Sequence, residues 1–270
     1  MKEKKLIIVR GAGDISTGTI HRLVKAGFPV LALETDRPSA IRRRVAFSEA
    51  VYDGNAQVED VTAVRIEKTE EIFPVLAEGK VPLLIDPEGK SIAELCPAVV
   101  VDAILAKKNL GTKKEMADLT IALGPGFSAG EDVHYVIETM RGHDLGRIIS
   151  SGRAQENTDI PGLIGGYGAE RVIHSPCAGI FHLKRDIGSL VEKGEVLGII
   201  LSPSGEETPV RSKIPGVVRG VIRNEYRVPK GFKLADVDPR PGERKNCYTI
   251  SDKARCIAGS VLELICAYRK

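Results

Sequence analysis

Two glycines and one acidic residue near the start of the chain have the types and spacing of an anion-binding site. Gly11 and Gly13 follow the apolar residues 6–9 and precede a segment with helical periodicity. Because glycine has no Cβ, a pyrophosphate can approach the backbone closely and face the first N–H groups of the helix. Glu34 follows Gly11 by 23 residues, near the roughly 20-residue spacing expected of a ribose-binding acid. The pattern predicts nucleotide binding.

The match to the dinucleotide-binding fingerprint is incomplete. Ser16 occupies the position of the third glycine in G-x-G-x-x-G, and Gly18 follows two residues later. Serine is small enough for close helix–strand packing, so Asp14 and Ser16 join the candidate cofactor-binding residues. The alternative is a purely structural glycine turn, since the same fold is reused for many functions.

A second group of polar residues follows the sixth predicted strand. Asp132, His134 and Arg141 are its candidate catalytic residues: an imidazole titrates near neutral pH, and an arginine can clamp an anionic substrate. Gly124 and Gly126 let backbone N–H groups approach an anion. The spacing matches no zinc motif, so no metal is expected. A structural lid whose polar residues satisfy one another is the alternative.

The choice of dinucleotide stays open. Arg37, Arg42, Arg43 and Arg44 follow the second predicted strand, where they would meet a 2′-phosphate. Glu34 favours NAD and Arg37 favours NADP, so the sequence does not distinguish between these two forms of NAD(P). A solvated basic turn is the alternative.

Alternating strands and helices must position these residues. Strands are predicted at 6–9, 29–33, 63–66, 81–85, 98–101 and 119–123, with helices near 70–77 and 104–108. This alternation indicates an α/β, Rossmann-like, mostly parallel sheet. Ligands bind outside the carboxyl ends of such strands, so the site is expected between the Gly11 turn and residues 124–147.

The pattern of residue types along the sequence changes after residue 170. Residues 179–197 and 216–234 form two similar copies, 37 residues apart. Two β half-units of this kind resemble the barrel-sandwich hybrid of biotinyl and lipoyl carrier domains. The turn at 202–209 has no lysine to carry the cofactor, so we expect a smaller all-β domain without biotin or lipoate.

Three segments follow from these patterns: a Rossmann-like domain over 1–170, a β domain over 171–240, and a segment over 241–270. In the last segment Ser251 is a plausible N-cap, and Ile257, Val261 and Leu264 mark one apolar helical face. We expect this helix to pack on the α/β domain.

Composition excludes several classes of protein. The 270 residues are 43% hydrophobic and 28% charged, as in a soluble globular protein, and a net charge of +3 gives no argument for nucleic acid. No signal-peptide core or membrane span is seen. Five cysteines form no C-x-x-C pair, which predicts a reduced, cytoplasmic protein.

Several long motifs carry a family resemblance: RGAGDISTGTIHRLVKAGF, IRRRVAFSEAVY, LAKKNLGT, IALGPGFSAGEDVHYVIETMRGHDLGR and ISDKARCIAGSVLE. Together they resemble the YqeB-type accessory proteins of the selenium-dependent molybdenum hydroxylase system. The resemblance implies a maturation role, with a client hydroxylase as partner and a nucleotide or molybdopterin-type ligand bound non-covalently. It implies no catalytic residues, and it leaves a homo-oligomer open.

The sequence is therefore compatible with three functions. The first is a maturation factor that binds a nucleotide or pterin and docks on its client. The second is an NAD(P)-dependent oxidoreductase centred on His134. The third is a non-catalytic binding scaffold.

Overall fold

The computed structural model describes residues 6–156 and 162–268, and these form two compact units. The first unit comprises the described residues of Met1–Pro38, Ala46–Thr158 and Ile250–Lys270. The second comprises those of Ser39–Val45 and Asp159–Thr249. The chain therefore enters the second unit briefly at 39–45, before its main passage through it.

In the described residues, the first unit is built on one nine-stranded mixed sheet. Its strands are β1 (Ile7–Arg10), β2 (Val30–Glu34), β3 (Asn55–Val58), β4 (Val61–Ile66), β5 (Val81–Ile85), β6 (Val99–Asp102), β7 (Leu119–Leu123), β8 (Tyr135–Ile137) and β9 (Ile148–Ile149). The spatial order is β3-β4-β5-β2-β1-β6-β7-β8-β9, parallel throughout except for β3 and β9 at the two edges. The central strands are near-continuous apolar runs because helices and loops cover both faces.

Five helices of the described chain complete this unit: α1 (Asp14–Lys25), α2 (Ala50–Asp53), α3 (Ile72–Ala77), α4 (Ser91–Leu95) and α5 (Asp252–Tyr268). The Ser251 hydroxyl accepts a hydrogen bond from the Ala254 N–H at 3.2 Å, which confirms the predicted N-cap of α5. α5 packs against α1, and Ile257 and Val261 of its apolar face are fully buried. A Cβ placed on Gly18 would lie 2.7 Å from the Ala254 Cβ, so Gly18 allows close approach of the two helices.

The predicted Rossmann-like fold is wrong, although six predicted strands correspond to β1, β2, β4, β5, β6 and β7. In a Rossmann sheet the third strand lies beside the second. Here β5 lies between β2 and β4, although β4 is the next parallel strand after β2 in the chain. The antiparallel strands β3 and β9 extend the sheet at its two edges. Strand periodicity is local, whereas strand order depends on contacts between distant segments, so the sequence pattern did not determine it.

The second unit contains, within the described residues, two four-stranded antiparallel sheets. One has the order β10-β17-β15-β12 and the other β14-β13-β11-β16. Their strands are β10 (Val172–His174), β11 (Gly179–Leu183), β12 (Leu190–Val191), β13 (Val196–Leu201), β14 (Glu207–Arg211), β15 (Gly216–Val221), β16 (Tyr226–Val228) and β17 (Lys233–Asp238). Side chains of both sheets share one apolar core, which includes Phe181, Leu197 and Val218.

The predicted barrel-sandwich hybrid is also wrong. The 37-residue repeat corresponds to real strands, since β11 and β15 begin at Gly179 and Gly216. The repeat accounts for only three strands in each copy. β10 and β14 lie outside it and complete the two four-stranded sheets. A repeat in sequence therefore identified half-units but not the sheets that they form.

Packing of α1 on α5 gives a first prediction. Alanine normally stabilises a helix interior relative to glycine, by about 1 kcal/mol. At Gly18, however, the new methyl group would overlap Ala254, and overpacking of this kind costs ~1–3 kcal/mol. We expect Gly18→Ala to lower the free energy of unfolding in chemical denaturation.

Gly259→Ala in α5 is the matched control, because a Cβ at Gly259 meets no atom within 4 Å. This variant should be as stable as the parent or more stable. If Gly18→Ala also stabilises the protein, the two helices do not pack as described.

Candidate functional site

A buried ion pair lies at the carboxyl edge of the nine-stranded sheet. Arg10 ends β1 and Asp102 ends the neighbouring β6, and the two residues are 1% and 2% exposed. Arg10 Nη1 lies 3.8 Å from Asp102 Oδ2. The Thr112 hydroxyl bridges them, accepting from Arg10 Nη1 and donating to Asp102 Oδ2. Arg10 Nη2 also donates to the Pro87 carbonyl at 2.9 Å. One guanidinium thus connects the loops that follow β5 and β6.

The loop after β6 is not the helix that the sequence predicted over 104–108. Leu105 and Lys107 adopt left-handed backbone conformations, with φ of 60° and 61°. Such residues cost about 1–3 kcal/mol each and persist only where surrounding contacts hold them. The Asp102 carboxylate accepts the Ile104 N–H at 3.2 Å, so the buried carboxylate holds the first residues of this loop.

Three of the candidate glycines allow backbone packing around this loop. Gly11 has φ of +94°, and a Cβ there would lie 2.9 Å from the Ala103 carbonyl oxygen. A Cβ on Gly126 would lie 2.6 Å from the Lys108 nitrogen, and one on Gly124 would lie 2.6 Å from Thr139 Oγ1. These glycines are therefore required by the packing of the loops.

Gly13 differs from the other three. It precedes α1 in an extended conformation, with φ of −67°, and no side chain caps the helix there. A Cβ on Gly13 would meet only Ser16 Oγ, at 4.0 Å. The Ser16 hydroxyl donates to the Gly13 carbonyl at 3.0 Å, and Asp14 is the first residue of the helix. Open space thus adjoins the positive end of α1.

Glu34 lies at this edge but binds the turn itself. Its Oε2 accepts the Ala12 N–H at 2.7 Å and its Oε1 accepts the Thr35 N–H at 2.9 Å. Burial raises the pKa of Glu34, and these two hydrogen bonds oppose that shift. The carboxylate that was predicted to bind ribose therefore stabilises the glycine turn.

Three of the four arginines predicted to meet a 2′-phosphate bind within the second unit, whereas Arg37 belongs to the first. Arg43 forms an ion pair with Asp186 at 2.6 Å and donates from Nε to the Val221 carbonyl at 2.8 Å. Arg44 lies 3.3 Å from the same carboxylate. Arg42 donates to backbone carbonyls at 3.1 and 3.3 Å. Their role is to hold residues 39–45 in that unit.

His134 is not beside the glycine turn. It precedes β8, next to Thr120 near the start of β7. Since β7 and β8 are parallel, this is the amino edge of the sheet. At ~3.3 Å per residue, the four residues from Thr120 to Gly124 separate the two edges by about 13 Å. His134 Nδ1 accepts the Thr120 N–H at 3.0 Å, which leaves the proton of the neutral ring on Nε2.

Asp132 and Arg141 also have structural partners. Asp132 Oδ2 accepts the Ser128 N–H at 2.7 Å in the turn before β8. Arg141 forms a bidentate ion pair with Asp252 at 2.9 and 3.1 Å, at the beginning of α5. The candidates Asp132, His134 and Arg141 therefore each bond to a different partner in the structure.

Sequence reasoning missed the residues that organise the edge. Arg10, Asp102 and Thr112 form one buried network that the sequence pattern did not predict. Glu138 is also buried, at 2% exposed, and its carboxylate accepts the N–H groups of Met140 and Gln155 at 2.7 and 2.8 Å. The available signal was a charged residue directly after a buried apolar strand.

Residues 6–156 and 162–268 contain neither a candidate metal site nor a candidate membrane span. No three histidine, cysteine, aspartate or glutamate side chains come together there as a metal site. No helix of this part of the chain has the length and apolar character needed to cross a membrane.

Comparison with known sequences supports the YqeB-type relationship. The chain is 48% identical to the uncharacterized protein YqeB of Escherichia coli (strain K12) over 261 residues, which is 97% of this chain and 47% of that protein. The chain thus spans about half the length of the curated relative that it matches. No protein-family profile matches the chain.

Solved structures give only a distant likeness. An aspartoacylase family protein from Mesorhizobium loti has a TM-score of 0.29 at 11% identity, over 86% of this chain and 84% of that one. A succinylglutamate desuccinylase/aspartoacylase from Rhodobacter sphaeroides has a TM-score of 0.30 at 13% identity, over 87% and 84%. The ectoine utilization protein EutE from Ruegeria pomeroyi, in a product-bound structure, has a TM-score of 0.28 at 12% identity, over 87% and 85%. At these scores the likeness assigns neither a substrate nor a reaction to this chain.

The environment of His134 predicts a pH dependence. Burial lowers its pKa, the charge of Lys114 lowers it further, and Glu115 opposes the shift. The folded protein therefore binds this proton less readily than the unfolded chain, in which the pKa is about 6.5. The contribution of His134 to stability is present above pH ~6.5 and is lost as the pH falls through the folded-state pKa.

We expect the NMR titration midpoint of the His134 imidazole to lie below 6.5. In His134→Gln, the loss of stability on acidification from neutral pH should be smaller than in the parent. A midpoint at or above 6.5, or parallel stability profiles, would contradict the described burial and bonding of Nδ1.

Proposed function

We propose that this YqeB-type chain is an accessory protein in the maturation of a selenium-dependent molybdenum hydroxylase. We further propose that it binds a phosphate-bearing pterin or nucleotide non-covalently at the start of α1. The identity to YqeB supports the family relationship, and the accessory role is what the resemblance of the sequence motifs to that family implies. The relative is about twice as long as this chain, so the proposal concerns the matched half.

The open backbone at Gly13 is the observation that carries the ligand proposal. α1 has 12 residues, so its N–H groups and dipole present a positive end to an anion. At Gly13 that end is neither capped by a side chain nor filled by a neighbouring atom. A phosphate oxygen has room there, whereas Gly11 and Gly126 are closed by backbone and Gly124 by the Thr139 side chain.

Charge near this edge comes from the loop after β6. Asp14 places one negative charge in the first turn of α1, so a bound phosphate needs cations nearby. The loop that packs on Gly11 through Ala103 carries Lys107 and Lys108, both exposed. These side chains are the proposed source of positive charge. The buried Arg10 is bonded below the loop and serves to position it.

The arrangement favours binding over chemistry. A hydride or proton transfer needs an acid or base within hydrogen-bond reach of the ligand. His134 lies at the other edge of the sheet and Glu34 is bonded to the turn. We therefore propose that the chain holds and delivers its ligand, and the oxidoreductase alternative receives no support from the site.

Gly13→Val tests the ligand site. The valine methyl groups would occupy the space proposed for phosphate, while the backbone at Gly13 tolerates a side chain. Loss of the glycine N-cap is expected to cost only ~1 kcal/mol of stability. Binding of GTP and of dihydroneopterin triphosphate, measured by isothermal titration calorimetry, should weaken at least about tenfold, or ~1.4 kcal/mol.

Gly242→Val is the matched control, since a Cβ at Gly242 also meets no atom within 4 Å but lies in the second unit. It should bind as the parent does. In cells that lack the chain, the control should restore hydroxylase activity and Gly13→Val should not. Equal affinity in Gly13→Val and the parent would exclude this site, and full hydroxylase activity without the chain would exclude the accessory role.

A further inference from the structure

A polar cavity of about 260 Å³ lies in the first unit, between the segment that follows β6 and the turn that precedes β8. Asn109, Thr112, Lys113 and Glu115 line one wall, and Glu131 and Asp132 line the other. No apolar side chain of the described residues lines it. The volume is below the ~300–1,000 Å³ of pockets for drug-sized ligands, so it suits a molecule of about the size of an amino acid.

The first wall is rigid because its polar groups are bonded to the protein interior. Asn109 Oδ1 accepts the N–H groups of Gly111 and Thr112 at 2.8 Å each, and its Nδ2 donates to the Thr112 carbonyl at 2.8 Å. Thr112 is fully buried, and its hydroxyl bridges Arg10 and Asp102.

The second wall is fixed in a similar way. The Ser128 carbonyl accepts the Asp132 N–H at 2.9 Å, and Asp132 Oδ2 accepts the Ser128 N–H. Lys114 joins the walls, since its ammonium donates to the Gly130 carbonyl at 2.9 Å. A cavity with walls held in this way is formed before a ligand arrives, which reduces the entropy lost on binding.

Both walls carry charged side chains that form no ion pair within the described chain. In the described chain, Lys113 and Glu131 line the cavity from opposite sides and neither takes part in an ion pair. The Glu115 carboxylate, whose charge also acts on His134, adds a second negative charge. A simple anion would bind unfavourably because it would meet more negative than positive charge. A simple cation would also bind unfavourably because the Lys113 ammonium faces the same space.

We propose that this cavity binds a free α-amino acid. The ligand carboxylate would pair with Lys113 and its ammonium with Glu131, so that both charges are satisfied across the cavity. Because three carboxylates and two ammonium groups line the cavity, neutral and basic amino acids fit better than acidic ones. This site is separate from the start of α1, and the proposal does not depend on the accessory function.

Isothermal titration calorimetry of the full chain tests the proposal with glycine, L-serine, L-ornithine and L-aspartate as ligands. At least one of the first three should bind at one site, and more tightly than L-aspartate. Derivatives of the best ligand that lack one charge, the N-acetyl compound and the methyl ester, should each bind about fivefold more weakly or worse. Absence of binding by all four amino acids, or equal binding of either derivative, would overturn the proposal.

Lys113→Ala and Glu131→Ala locate the ligand. Both side chains are exposed and bond to no other group of the described chain, so the variants should fold normally. Each should weaken binding about fivefold or more, whereas Lys193→Ala, at an exposed position in the second unit, should not. Unchanged affinity in both cavity variants would place the ligand elsewhere and contradict the proposal. Gly13→Val should leave amino-acid binding unchanged, which separates this test from that of the phosphate site.

Discussion

The buried guanidinium of Arg10 is the interaction on which the carboxyl edge of the large sheet depends. It is enclosed at the end of the central strand, where it meets Thr112, the Pro87 carbonyl and Asp102. Burial raises the pKa of Asp102, while hydrogen bonds and the Arg10 charge oppose that shift. Removing one partner of a buried pair typically costs ~3–5 kcal/mol because the other charge is left uncompensated. The pair therefore fixes where the loops of three strands meet.

This network explains the strained conformation of the loop after β6. Leu105 and Lys107 are held in left-handed conformations between Asp102, which begins the loop, and Thr112, which ends it on Arg10. The same loop forms the surface on which Gly11 and Gly126 pack. A glycine is needed at each of those positions because backbone meets backbone, and a ligand need not be invoked to explain them.

Local structure could be predicted from the sequence, but contacts between distant segments could not. Apolar runs identified six of the seven parallel strands of the described chain, all but β8, and Ser251 correctly marked the start of α5. The expected helix at 104–108 is replaced by a loop in which Leu105 and Lys107 have positive φ. The order of the strands depends on pairs as distant as Ile7 with Val99, and the position of Arg43 depends on Asp186, 143 residues away. No local pattern contains that information.

The same limit applies to the candidate site. Residues that are close in sequence were expected to act together, yet β8 separates His134 from Arg141. In a parallel sheet, residues before and after a strand lie at opposite edges, so Asp132 and His134 belong to the amino edge. Gly124 and Gly126, which follow β7, belong to the carboxyl edge. The amino edge thus contains the imidazole and the carboxyl edge the open helix end. The start of α1 and His134 therefore lie at opposite edges of the sheet, and this separation follows from the direction of the parallel strands and not from the sequence spacing.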